Sequence, residues 1–276
     1  MNGTVGIATD TPPLVRLSSA DENVVGVLGL FHPTQSVTDQ ISVAALERAE
    51  SEGQRSRATT IIAPAHAKAG FGFAFAAATR GYEVILTVPD SVSAECRRLL
   101  VALGAEVVVT PSDEGVDGAV TRAETLADRI DDAFVPQACL DPSTVHRRTV
   151  GPAIRREMDG APGALVGPPR IADALAGVAT HFHKDVRTVV ADPAGPVTPT
   201  TADTAGGSFD SLVTILPDDA LAAARRLATG EGLFAGVSSG AVVEAASRMN
   251  TDETVVAILP DAAPPRTGGS TDQLRQ

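Results

Sequence analysis

Two spacings of apolar positions alternate along this chain. Short runs rich in Val, Ile, Leu and Thr recur at 59–62, 83–88, 106–110, 164–166, 188–191, 212–215 and 255–259. Between them lie segments whose apolar residues return every three or four positions, at 93–103, 116–130, 145–158, 171–181, 218–228 and 241–249. The first set predicts strands and the second helices. Strictly alternating strands and helices predict an α/β architecture with largely parallel sheets. An apolar run at 24–30 precedes a helical pattern that starts near Ile41 and runs to Glu52, and a further helix begins near Lys68. The stretch after Asp192, with its prolines, threonines and paired glycines, reads as a polar loop, and 262–276 as a flexible tail.

Composition narrows the classes. The 276 residues are 43% hydrophobic and 3% aromatic, enough for one large or two modest cores. No apolar run approaches the roughly 20 residues that span a bilayer, and the N-terminus lacks a signal-peptide pattern, so a cytoplasmic location is expected. Cys96 and Cys139 have no metal-ligand spacing and read as reduced thiols. A net charge of -12 excludes nucleic acid and anionic membranes as partners. Lys68 and Lys184 are the chain's lysines, and scarce lysine on an acidic chain matches the pattern of salt-accumulating microbes. His181-Phe182-His183 lacks a third ligand at useful spacing, so no metal is expected.

Six segments resemble one family. Thr11-Pro-Pro-Leu-Val-Arg-Leu, His32-Pro-Thr-Gln-Ser-Val-Thr-Asp-Gln, Gly81-Tyr-Glu-Val-Ile-Leu-Thr-Val-Pro-Asp-Ser-Val-Ser, the 95–110 segment, His146-Arg-Arg-Thr-Val-Gly-Pro-Ala-Ile and Gly236-Val-Ser-Ser-Gly-Ala follow the order of the cysteine synthases. These are the O-acetylserine and O-phosphoserine sulfhydrylases, fold-type II pyridoxal-phosphate enzymes with a tryptophan synthase beta-like fold. The resemblance implies two open, mostly parallel twisted sheets flanked by helices. It also implies a smaller mobile domain at 37–140 set against a larger one made of 1–36 and 141–261.

The family's second segment reads Asn-Pro-(Thr/Ser)-x-Ser-Val-Lys-Asp-Arg, and its lysine forms the Schiff base with the cofactor; here Thr38 occupies that position. A threonine hydroxyl can neither form an imine nor shuttle the α-proton as the amine does. It can cap a helix, as can Ser36. Where the family carries Thr-Ser-Gly-Asn-Thr-Gly to bind the substrate carboxylate, this chain has Ala65-His66-Ala67-Lys68-Ala69-Gly70. Where the family cradles phosphate with Gly-Thr-Gly-Gly-Thr, it has Gly167-Pro168-Pro169-Arg170-Ile171, and each proline removes an N–H donor. Ser238 matches the family serine that bonds the pyridine nitrogen, although Ser-Ser-Gly could equally cap a helix starting at Ala241. Gln137 matches a glutamine facing the substrate pocket.

From these departures no bound cofactor and no catalytic residue are expected. The leading reading is a pseudoenzyme, a structural or regulatory subunit that forms a homodimer or pairs with a lysine-bearing homologue. Two alternatives stand beside it. One is a pyridoxal-phosphate-dependent β-replacement enzyme or lyase using a relocated Lys68; the other is a binder of a small anion between His66, Lys68 and Arg170. The charge carries a prediction of its own. Screening lengths fall from about 30 Å at 0.01 M salt to about 3 Å at 1 M, so the unfolding midpoint in a thermal melt should rise with potassium chloride. A flat or falling midpoint would remove the salt-adapted reading.

Overall fold

The apolar runs assemble into two sheets in a computed structural model that describes residues 12–36, 38–51, 59–65, 68–136, 142–158, 160–182, 186–193, 209–260 and 262. The larger sheet contains β1 (Leu14–Arg16), β2 (Val24–Leu28), β7 (Ala164–Gly167), β8 (Arg187–Pro193), β9 (Ser211–Ile215) and β10 (Val255–Leu259), in the order β1-β2-β10-β7-β8-β9. β1 pairs antiparallel with β2, and the other pairs are parallel. The smaller sheet contains β3 (Thr60–Pro64), β4 (Glu83–Pro89), β5 (Glu106–Thr110) and β6 (Ala133–Phe134), in the order β5-β4-β3-β6, all parallel. This is the expected arrangement of two open, mostly parallel sheets flanked by helices. Every residue of β2, β3, β7 and β10 is buried, because parallel sheets are covered on both faces.

Nine helices lie among the described residues: α1 (Thr38–Ser51), α2 (Lys68–Arg80), α3 (Ala94–Ala102), α4 (Gly115–Ala127), α5 (Pro142–Arg148), α6 (Val150–Glu157), α7 (Ala172–His181), α8 (Pro217–Glu231) and α9 (Val237–Ser247). Along β10 the side chains divide with the strand's period of two. Val255, Ala257 and Leu259 join Leu227 and Val242 of α8 and α9, whereas Val256 and Ile258 join Ile154, Leu175 and Val178 of α6 and α7. The smaller sheet is covered in the same way. Leu46, Phe73 and Leu100 of α1, α2 and α3 pack on one face, and Ala123 of α4 reaches Ile62 and Ile85 on the other.

Several boundaries differ from the periodicity. The single helix expected at 145–158 is two, broken at Thr149. Pro152 explains the break, because in an unbroken helix its ring would strike the carbonyl of Arg148, whereas in the first turn of α6 its missing N–H costs nothing. α9 starts at Val237, four residues before the expected start. β6 has two residues, too few to show a period. No helix among the described residues is long and apolar enough to cross a membrane.

With so few aromatic side chains, the helices fill space by approaching closely. A Cβ on Gly177 of α7 would collide with the backbone carbonyl of Ser143 in α5, and one on Gly240 of α9 with the carbonyl of Ala220 in α8. Gly177→Ala should therefore force α5 and α7 apart and cost about 1–3 kcal/mol, read as a lower urea midpoint in molar salt. An unchanged midpoint would show that the helix pair yields without cost.

Candidate active site

Open parallel sheets take ligands beyond the carboxyl ends of their strands, where neighbouring connections diverge. In the larger sheet that place is around β10. It lies between β2, from which the chain departs to build the smaller sheet, and β7, which leads on to β8 and β9. Three segments thus emerge side by side: 29–36 after β2, 168–171 after β7, and Ala262 just beyond β10. The N–H of Ala262 donates to the carbonyl of Gln35 at 3.4 Å. Ala262 also forms an antiparallel bridge with Ala235, next to Gly236, the residue that precedes α9. Ser238 is thereby brought to the side of the 32–38 segment.

Thr38 opens α1, and the residues around it are polar yet buried: His32, Ser36, Asp39, Gln40 and Ser42. The Asp39 carboxylate turns back over the loop, accepting the N–H of Thr34 at 2.8 Å and also the Thr34 hydroxyl. An acid in the first turn is favoured by the helix dipole. Gln40 accepts the hydroxyl of Thr149 at 3.2 Å, tying α1 to the break between α5 and α6. Lys68 opens α2. One turn further on, a Cβ on Gly72 would stand 2.7 Å from Ser42 Oγ and 3.3 Å from Asp39 Oδ1, so glycine allows the first turns of α1 and α2 to lie side by side. The fold therefore brings the backbones of Thr38 and Lys68 to neighbouring turns.

The segment after β7 is apolar where a phosphate would need donors. Pro168 is extended, 169–171 form a 3-10 turn, and the N–H of Ile171 is spent on the carbonyl of Pro168 at 3.1 Å. A Cβ on Gly167 would lie 3.0 Å from both Ile171 Cδ1 and Leu175 Cδ2, so hydrocarbon fills the space over the glycine. Arg170 is exposed on the turn. At the start of α9, Ser238 is half-buried and Ser239 buried, and both sit inside the first turn. The expectation that Ser-Ser-Gly caps a helix at Ala241 is corrected accordingly: Gly236 is the cap residue and uses no side chain.

His66 and Gln137 lie outside the described residues, as do His183, Lys184, Cys139 and the polar loop 194–208. His32, Asp39, Gln40 and His146 are site residues that sequence reasoning passed over. Asp39 had a signal in the acid that follows the lysine in the family segment; the burial of the others has none in a single sequence. No group of three or more His, Cys, Asp or Glu side chains among the described residues is arranged to hold a metal ion.

A family profile described as pyridoxal-phosphate dependent enzyme matches residues 9–261. The probable cysteine synthase of Bacillus subtilis (strain 168) is 33% identical over 291 residues, 94% of this chain and 93% of its own. The crystal structure of O-ureido-L-serine synthase superposes with a TM-score of 0.80 at 28% identity, covering 96% of this chain and 97% of the other. An O-ureido-L-serine-bound lysine-to-alanine mutant of that enzyme superposes with a TM-score of 0.77 at 27% identity, covering 95% and 94%.

These matches correct the expectation of no cofactor: the matched family is pyridoxal-phosphate dependent, and its relatives are cysteine synthase-type enzymes. A missing attachment point is not a missing ligand: threonine at position 38 removes one covalent bond. What the described residues do not fit is covalent attachment at Thr38, or a phosphate cradle of converging N–H groups at 167–171. The buried carboxylate yields a direct test. Thr34→Ala removes the hydroxyl bond to Asp39 and should cost about 1 kcal/mol, whereas Asp39→Ala also removes the bond from the Thr34 N–H and should cost more. Equal midpoints for the two variants in urea would show that the clamp carries no weight.

Proposed function

The chain belongs to the pyridoxal-phosphate-dependent enzyme family, in its cysteine synthase branch, and from that premise we propose that it has lost Schiff-base chemistry and serves as a structural or regulatory subunit in sulfur amino-acid metabolism. The observation that carries the reading is Thr38 at the first position of α1, where the family's segment has its lysine. Pyridoxal phosphate, when bound, supplies an electron sink for carbanion chemistry. A neutral hydroxyl at position 38 can neither attach to its aldehyde nor return a proton to the α-carbon. The proline-bearing turn and the hydrocarbon packed over Gly167 support the same reading, since they leave few backbone donors for an anion.

Binding and chemistry separate on this scaffold. The solved lysine-to-alanine mutant of O-ureido-L-serine synthase holds O-ureido-L-serine, a precedent for a chain of this fold that has given up a lysine and still holds an amino acid. We place this chain in a similar role, holding a cofactor or an O-substituted serine without turnover, as a homodimer or in a heterodimer with a lysine-bearing homologue. A second reading has one specific observation behind it. Because α1 and α2 begin on neighbouring turns, Lys68 starts its helix close to the vacated position and could supply the amine in a β-replacement enzyme or lyase.

Borohydride separates the two. Purified chain mixed with excess pyridoxal phosphate in molar salt, reduced and digested, should yield no pyridoxyl peptide; a stoichiometric adduct on Lys68 would overturn the non-catalytic reading in favour of the enzyme. In the same preparation, Thr38→Lys alone should give no sulfhydrylase activity, because 167–171 also departs from the family. Activity from that single substitution would show that the amine was all that was missing. Co-purification from the host in molar salt should recover a self-dimer or a lysine-bearing homologue, and a monomer would remove the subunit role.

A further inference from the structure

Two imidazoles at the crossing between the sheets have no use in the reading above. His32 lies in the segment that leaves β2 for α1, and His146 lies on α5; they are 4% and 2% exposed. The Nε2 atom of each is buried and has no hydrogen-bond partner. The state of His146 follows from its other nitrogen. Nδ1 stands 2.8 Å from the carbonyl of Pro142, which can only accept, so Nδ1 carries the proton and Nε2 of the neutral ring is a bare lone pair. A buried nitrogen left without a partner is costly and calls for an explanation.

Protonation would make the arrangement worse. Burial pushes the pKa of His146 down, and burial together with the charge of His146 holds His32 down to about 4. No carboxylate among the described residues offsets this. Asp39 on α1 is engaged by Thr34, Asp173 on α7 is exposed, and on α5 the nearest charges are Arg147 and Arg148, both exposed and of the same sign. Arg155 on α6 faces His181. Both rings are therefore neutral at pH 7, and a proton on either is met by burial and by its neighbour.

The surroundings decide what would give way. α5 is held to α7 by the close approach at Gly177, and to α1 through Thr149 and Gln40. The bonds that hold the 32–36 segment include its turn bonds, those to Asp39, and a 3.4 Å bond to Ala262. The buried members of the sheet-core clusters on either side are apolar. We propose that His32 and His146 form an acid-sensitive latch, in which proton uptake by the pair releases the 29–36 segment and the start of α1 from α5 and loosens the crossing between the sheets. The inference does not depend on the loss of Schiff-base chemistry.

The sign follows from linkage. A group whose folded pKa is depressed below its free value near 6.5 binds its proton only in the open state between those two values, so opening grows as pH falls from about 6.5 toward 4. From pH 7.5 to pH 5.5 the opening constant should rise about tenfold for each ring that stays neutral when closed, and about a hundredfold for the pair. Hydrogen exchange by mass spectrometry on the full chain in molar potassium chloride, corrected for intrinsic rates, should show that rise in 29–40 and 142–149 and not in β7 or β10. His32→Asn should reduce it to about tenfold. Equal rises in the strands, no rise at all, or an undiminished rise in the variant would each overturn the latch. Histidine nitrogen NMR of the unmodified chain gives an independent readout: His146 should appear as the Nδ1–H tautomer and titrate below its free value, and His32 should titrate near 4. Midpoints near 6.5 for both rings would likewise overturn it.

Discussion

The segment between β2 and α1 must carry the chain from one sheet to the other while burying His32, Ser36, Asp39 and Gln40. A buried polar group without a partner costs on the order of 1–3 kcal/mol, and a buried charge more. This constraint organises the junction. Asp39 is satisfied from within its own loop by the N–H and hydroxyl of Thr34. Gln40 is satisfied from α5 and α6 through Thr149, which is available because Pro152 forces the helix to break there. The approach of α2 at Gly72 then closes the cluster from the smaller sheet's side. Each contact joins elements of different sheets or fixes the loop that passes between them, so the relative placement of β2, α1 and α5 is set by polar satisfaction as much as by apolar packing.

Away from this junction the structure is governed by periodicity, and that is where the sequence was most informative. The β5 and β10 runs appear as strands with the bounds read from the sequence, and β3, β4, β7, β8 and β9 differ by one or two residues at their ends. Such runs are legible because both faces of a parallel strand are buried, so the signal lies in the residues themselves. The break at Thr149 was legible in principle through Pro152, but the apolar period of 145–158 continues across it and concealed it. The early start of α9 had no local signal, because Gly236 caps by conformation and Ser238 and Ser239 look like caps themselves. β6 was hidden by its length.

The site was legible only where a family segment could be laid over it. Thr38, Lys68, Arg170 and Ser238 were found in that way, and the fold places the first two on neighbouring turns. The filling of the space over Gly167 could not have been read, because it depends on Ile171 and Leu175 folding back on a glycine from a turn and a helix that follow it. Nor could the burial of His32 and His146, which are over a hundred positions apart and meet only through tertiary structure. Separation of core from site explains how such departures are tolerated. Among the described residues, the clusters on both faces of each sheet draw on Ala65 and Ile171 of the altered site positions, and both have become part of the core.

The changes around Thr38 are mutually consistent. The family segment has a cation on each side of its aspartate, Lys-Asp-Arg, whereas this chain has Thr-Asp-Gln. With both flanking cations gone, an aspartate whose bonds came from them would be left charged and unpaired in the interior. Thr34 supplies two donors from a position five residues away, and the carboxylate keeps its place. His32, where the family segment has asparagine, is neutral at pH 7, as is His146 beside it. At this junction the Asp39 charge is held by the Thr34 donors and the two imidazoles are held uncharged by burial.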